Sequence, residues 1–299
     1  MSEFSLNWLQ LREEADHRAR ADSLLQALQR PALATSCAQR PLQILDLGAG
    51  TGANLRYLAP KLGSGQQWRC LDHDPILLDG LLRLTRDWAS ARGYQVDVKA
   101  GSLLLAGPAW DAQVQVGQAD LAAGLRAQQL PSGGLVTASA LLDLVSEPWL
   151  CAVVERCKGA SCSLLFALSY DGRVRLAPAQ PMDQEVIALV NQHQRRDKGF
   201  GPALGPSASA AAQRLALAAG YQVQTAPSAW SLEADEAPLQ QALLEGWVDA
   251  ACEVDPTATS RLQAWCAARQ AEAAAGGLKI ALAHRDLIAV SPDQSPEPG

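Results

Sequence analysis

The sequence predicts an α/β protein built on a doubly wound, mainly parallel sheet. Short apolar runs of strand length alternate with amphipathic stretches of helix length along most of the chain. The first of these runs, "LQILDL" at 42–47, ends in three glycines within five positions, "GAGTG" at 48–52. In a parallel sheet, that strand end is where a binding loop belongs. The 299 residues, 48% apolar and 19% charged, are enough to bury a sizeable core without disulfides.

Leu6, Leu9, Leu11, Ala15, Ala19, Leu24, Leu25 and Leu28 predict one amphipathic helix over residues 6–30, ended near Pro31. Arg12, Asp16 and Arg20 at four-residue spacing lace its polar side with ion pairs, each worth about 0.2–0.5 kcal/mol. After Pro41 comes the strand "LQILDL", then a short helix over 53–62. "QQWRCLD" is the second strand, and Pro75 opens a helix running to Arg92 and closed by Gly93. Two extended stretches follow, "YQVDVKA" and "WDAQVQV", the first a hairpin arm or a strand of the main sheet. "GGLVTASALLDLV" holds the next strand, before a helix from Glu147–Pro148. "SCSLLFALSYDGRVRL" is a strand that turns at Asp171–Gly172 into a partner arm. Helices over 182–196 and 207–219, the strand "YQVQTAPSAWSL", helices over 237–253 and 257–275, and the strand "LKIALAHRDLIAV" complete the order. The proline-rich tail 291–299 reads as disordered.

Composition narrows the function. The net charge is −6 and the densest arginine or lysine run is the pair Arg195–Arg196, which disfavours a nucleic-acid partner. No 18-residue apolar run and no signal-peptide core are present, so no membrane span is expected. Seven cysteines without a CxxC pair and four scattered histidines give no zinc spacing; no metal is expected, and the chain reads as reduced and cytoplasmic.

Two ligands compete for the glycine run. Gly48-Ala49-Gly50-Thr51-Gly52-Ala53 satisfies the GxGxxG/A dinucleotide pattern. Asp46, two residues before the first glycine, separates the readings. A carboxylate there repels a pyrophosphate and accepts a ligand that carries an ammonium group. The stretch "ILDLGAGTG", followed by an acidic end to the second strand, resembles the class I S-adenosylmethionine-dependent methyltransferases over residues 40–290.

The resemblance implies a Rossmann-like, seven-stranded sheet with an N-terminal helical cap over 1–40. It places the methyltransferase domain at 41–290, with insertions near 94–111, 172–206 and 237–275. S-adenosylmethionine is the implied cofactor. Asp46, Gly48, Ala49, Gly50 and Gly52 would meet its methionine part and ribose. Asp72, 24 residues past Gly48, would accept both ribose hydroxyls, with His73 beside it. Asp120 and Leu121 would face the adenine, in preference to Gly101–Ser102, and the small Ala138 and Ser139 would lie beside the sulfonium. Asp143 is the first choice for a general base or substrate anchor, and His193, in the polar cluster 191–198, the second; Tyr170 is a third. Arg12 would meet a substrate carboxylate.

The function these features imply is methyl transfer to a small-molecule acceptor. Three alternatives stay open: an NAD(P)-dependent oxidoreductase on the same glycines, a nucleic-acid methyltransferase, and a non-catalytic binding module. The first lacks a usable Tyr-x-x-x-Lys pair, since Tyr57 and Lys61 fall on the first helix after the glycines. The second lacks an Asn/Asp-Pro-Pro motif at "TASALL".

Overall fold

Residues Leu42–Leu47 form β1, whose side chains are buried on both faces except at Gln43. Leu45 and Leu47 join one apolar cluster, and Leu42 and Ile44 join another. Such a strand needs neighbours on both edges and helices on both faces. A computed structural model describes residues 5–28, 41–99 and 101–291 and shows both.

The strands are β2 (Gln66–Asp72), β3 (Gln95–Lys99), β4 (Ser102–Gly107), β5 (Trp110–Gln118), β6 (Leu135–Ser139), β7 (Ser163–Ala177), β8 (Gln222–Pro227), β9 (Trp230–Leu232) and β10 (Lys279–Val290). The sheet runs β3-β4-β5-β2-β1-β6-β7-β10-β8, and β9 also pairs with β10. Strands β5, β2, β1, β6 and β7 are parallel, and β10 is antiparallel to β7, β8 and β9. The count is ten strands, where seven were expected. The extra three are the β3–β4 hairpin on the edge of β5, and β9, which takes the first part of β10 while β8 takes the rest.

The helices are α1 (Leu6–Ala19), α2 (Asp22–Leu25), α3 (Ala53–Leu58), α4 (Pro75–Ala91), α5 (Glu147–Gly159), α6 (Asp183–His193), α7 (Ala208–Ala218), α8 (Ala237–Val254) and α9 (Thr259–Ala274). Helices α5 and α7 cover one face of the sheet; α2, α3 and α4 cover the other. A third apolar cluster joins α6, α8 and α9 to α1, β9 and the outer half of β10.

Three expected elements differ. The single strand expected over 221–232 is two, β8 and β9, which pair with different parts of β10. The helix over 6–30 breaks at Arg20, whose ψ of 138° leaves the helix. Its guanidinium is buried, on Asp286 at 3.3 Å and on Asn54 at 2.9 Å, and this tertiary bond outweighs the local apolar pattern. Pro31, the expected end of that helix, lies outside the described residues, as do Cys37 and the tail beyond Ser291. The turn at Asp171–Gly172 does not reverse the chain. Strand β7 runs through it, and Gly172, at a φ of 86°, absorbs a register shift against β10 near Leu282 and His284.

No helix among the described residues is long and apolar enough to cross a membrane, and no cluster of His, Cys, Asp and Glu among them is arranged to hold a metal ion.

Candidate active site

The turns after β1, β2, β5 and β6 surround one cavity of about 1270 Å³, its open mouth included. It lies at the carboxyl end of the sheet, where the strand order reverses. Helix α1 and the loop after α6 close its other side through Leu9, Arg12, Asp16, Lys198 and Phe200.

The turn after β1 is left-handed three times over. Gly48, Gly50 and Gly52 have φ of 64°, 51° and 85°, a region costly for any residue with a Cβ. They do different work. Gly48 and Gly50 line the cavity together with Ala49. Gly52 does not; a Cβ there would lie 2.7 Å from Leu81 Cγ, so this glycine serves the close packing of α4.

Asp72, the last residue of β2, fastens that turn. Its Oδ2 accepts the Gly50 N–H at 2.8 Å, and its Oδ1 accepts the Asp74 N–H at 3.1 Å. His73 Nδ1 is 3.2 Å from the same Oδ1. These bonds set the plane of the carboxylate at the cavity wall and leave each oxygen further acceptor capacity. Asp74 caps α4, its Oδ1 accepting from Ile76 N–H at 2.8 Å.

At the far wall, exposed Asp120 accepts the Ala122 N–H at 2.9 Å. Its neighbour Leu121 is buried, with its carbonyl accepting from Trp149 Nε1 at 2.6 Å. Ser139 lines the cavity, while Ala138 lies buried in the sheet between Leu47 and Phe166. Ala140, which no sequence signal marked, lines the cavity at a φ of 52°, its N–H held by Ala167 O at 2.9 Å.

Besides Gly52 and Ala138, four of the expected site residues do not line the cavity. Asp46 lies beneath the turn: its Oδ1 accepts from Asn54 Nδ2 at 2.9 Å, and its Oδ2 is buried without a partner among the described residues. Asn54 Nδ2 also reaches Thr137 Oγ1 at 3.1 Å, so this group ties α3 to β1 and β6. Burial pushes the Asp46 carboxyl up to about 7. Asp143 does not line the cavity either; its Oδ1 is buried without a partner among the described residues, and burial raises the carboxyl to about 6 against the lowering charge of Arg12. His193 stands one residue further back, behind Lys198, with its Nδ1 3.3 Å from Lys198 Nζ. Tyr170 is buried and donates to Asn191 Oδ1 at 2.8 Å.

The charge around the cavity is lopsided. Asp16, Asp72, Asp74 and Asp120 line it against Arg12 and Lys198. Arg12 is already held bidentately by Asp16, at 2.9 and 3.1 Å. The Arg12–Asp16 spacing was visible as a helix-surface pair; that Asp16 is buried, with Trp230 Nε1 donating to it at 3.1 Å, was not.

No family model matches the chain, and no curated protein matches it. Among solved structures it is similar to mycolic acid cyclopropane synthase CmaA1 complexed with SAH and CTAB, at 13% identity over 95% of this chain and 94% of that one, with a TM-score of 0.46. It is similar to the cyclopropane synthase MmaA2 from Mycobacterium tuberculosis, at 10% identity over 96% and 99%, with a TM-score of 0.41. Haemonchus contortus phosphoethanolamine N-methyltransferase 2, in complex with phosphomonomethylethanolamine and S-adenosylhomocysteine, is similar at 13% identity over 97% of this chain and 61% of that one, with a TM-score of 0.38. Each likeness is distant.

Proposed function

We propose that this chain is a methyltransferase that binds S-adenosylmethionine in the cavity at the carboxyl end of its sheet and methylates a small-molecule acceptor in the cytoplasm. The carrying observation is the Asp72 carboxylate locked onto Gly50 N–H within a cavity where carboxylates outnumber cations. A dinucleotide would bring a pyrophosphate into that negative surround at a Coulombic cost. A ligand with a sulfonium and an ammonium group gains from it.

The residues present fit such a donor. Gly48 and Gly50 allow close backbone approach, Asp72 has spare acceptor capacity for a pair of hydroxyls, and the Asp120–Ala122 turn forms the opposite wall. When bound, S-adenosylmethionine supplies an activated methyl group, so the protein's main task is to orient an acceptor, worth about 7–11 kcal/mol in favourable intramolecular cases. Arg12, Lys198 and Phe200 line the side of the cavity formed by α1 and the loop after α6, and the acceptor is assigned there. The small share of basic residues and the closing position of α1 favour a small acceptor over a nucleic acid.

Calorimetric titration with S-adenosylhomocysteine, and with NADH and NADPH in parallel, tests the reading. Saturable binding of S-adenosylhomocysteine alone is the expected result. Binding of a nicotinamide nucleotide alone would overturn it.

A further inference from the structure

From the cavity wall outward, three side chains, from the loop after α6, from α6 and from α8, contact one another in sequence. Lys198 lines the cavity, and its Nζ is 3.3 Å from His193 Nδ1. His193 Nε2 is 2.9 Å from Glu253 Oε2, on the last turn of α8. A carboxylate only accepts, so the hydrogen between His193 and Glu253 belongs to Nε2, which leaves Nδ1 as an acceptor and makes Lys198 its donor. Exposure rises from His193, whose side chain is 16% exposed, to Glu253 at 63%. The line therefore connects the cavity to bulk solvent.

The segment carrying Lys198 is fixed. Asp197 Oδ1 accepts both Gly199 N–H, at 2.7 Å, and Gly201 N–H, at 3.0 Å. On the outer side, Arg196 grips α8 through Glu253 O at 2.9 Å and Glu253 Oε2 at 3.4 Å.

We infer that Lys198, as a neutral amine, is the proton acceptor of the reaction, and that His193 and Glu253 form the exit through which that proton reaches solvent. The inference rests on the methyltransferase reading and assigns the acceptor class: a molecule whose methylated oxygen, nitrogen or sulfur carries a dissociable proton. The balance is simple. The acceptor atom's electron pair forms the bond to the methyl carbon, the sulfur–carbon pair stays with the sulfur, and the acceptor's proton passes to Lys198 Nζ. Lys198 then gives a proton to His193 Nδ1, which releases the one on Nε2 to Glu253 and solvent. Burial and the Arg196 charge push the Lys198 ammonium down, and the Glu253 charge opposes them. The charged groups around it are Arg196 and Glu253 across the line and, sharing the cavity, the Arg12–Asp16 pair and the carboxylates Asp72, Asp74 and Asp120. Asp143, expected as the base, has no place on the cavity wall.

The test needs no acceptor. The full chain has five lysines, Lys61, Lys99, Lys158, Lys198 and Lys279. Competitive acetylation with trace acetic anhydride across a pH series, read peptide by peptide, gives the titration midpoint of each. The Lys198 midpoint is expected below those of the exposed Lys99 and Lys279, lower still in Glu253→Gln and higher in Arg196→Gln. Nitrogen-15 shifts of His193 are expected to show the Nε2–H tautomer. A Lys198 midpoint level with the exposed lysines, or one unmoved by both substitutions, overturns the proposal, as does the Nδ1–H tautomer. Titration with S-adenosylhomocysteine on the same protein separates the two readings: if it binds and Lys198 titrates as an ordinary lysine, only the proton route falls. If it does not bind, the methyl-donor reading falls, and the acceptor class with it.

Discussion

Glu13 and Arg56 bind the N-terminal helix to the helix that the glycine turn begins. Arg56 Nε and Nη2 donate to the two oxygens of Glu13 at 2.7 and 2.5 Å. Arg56 Nη1, on the inner side, donates to Thr51 O at 2.7 Å and Thr85 Oγ1 at 3.0 Å. One buried guanidinium thus joins α1, the turn after β1, and α4. Replacing it strands the Glu13 carboxylate and two buried acceptors. Arg56→Met is expected to cost about 3–5 kcal/mol in urea unfolding and to open α1 to limited proteolysis. A variant of unchanged stability would remove the clamp from the account.

Asp72→Asn keeps the shape of the side chain and loses its charge. Affinity for S-adenosylhomocysteine is expected to fall by about 1.5–3 kcal/mol in calorimetry, the worth of a hydrogen bond to a charged group. Equal affinity in parent and variant would show that the carboxylate does not hold the ligand's hydroxyls.

Gly50 and Gly52 predict two different phenotypes. Gly52→Ala places a Cβ 2.7 Å from Leu81 Cγ at a φ of 85° and is expected to destabilise the fold by about 1–3 kcal/mol through strain and overpacking. Gly50→Ala meets only the end of the Leu9 side chain, at 3.1 Å, on the cavity side. Its larger effect is expected in ligand affinity. Thermal melts with and without S-adenosylhomocysteine distinguish these outcomes, and a reversed pattern would exchange the roles assigned to the two positions.

Burial of Asp46 is expected to give the stability a pH dependence whose sign follows from the raised carboxyl. Its carboxyl is raised to about 7 in the folded protein, above the ordinary range near 4 in the unfolded chain. Below about pH 4 both states hold the proton and the group contributes nothing. Between about pH 4 and 7 the folded state alone holds it, so this contribution falls as pH rises, by about 1.4 kcal/mol per unit at most. Asp46→Asn keeps an oxygen for Asn54 and removes the penalty. The variant is expected to match the parent near pH 4 and to exceed it at pH 8 in denaturant titrations. A parent more stable than the variant at pH 8 would refute the assignment.

The features legible in the sequence were those made by neighbouring residues. The glycine run after β1, the Asp72 strand end and the Asp74–Pro75 helix start all act within a few positions of themselves. What escaped depends on partners far along the chain. The break after Ala19 follows from Arg20 meeting Asp286, 266 residues away. Strand β4, "SLLLAG", is legible only once β3 and β5 flank it, and three-residue β9 exists because β10 offers it an edge. In the site, Asp72 could be placed from local order, whereas the setting of Asp16, Asp143 and Lys198 depends on how α1 and the loop after α6 close over the sheet.

The position of β10 has a consequence for how the chain is made. It lies between β7 and β8, pairs with β9 along its first residues, and spans Lys279–Val290. Until those residues leave the ribosome, β7 presents a bare edge, β8 and β9 have no partner on this sheet, and Asp286 is not there to receive Arg20. Synthesis at about 5–20 residues per second leaves the nascent chain in that state for many seconds. The interval between translating β7 and translating β10 is when that edge is open to pairing with another strand.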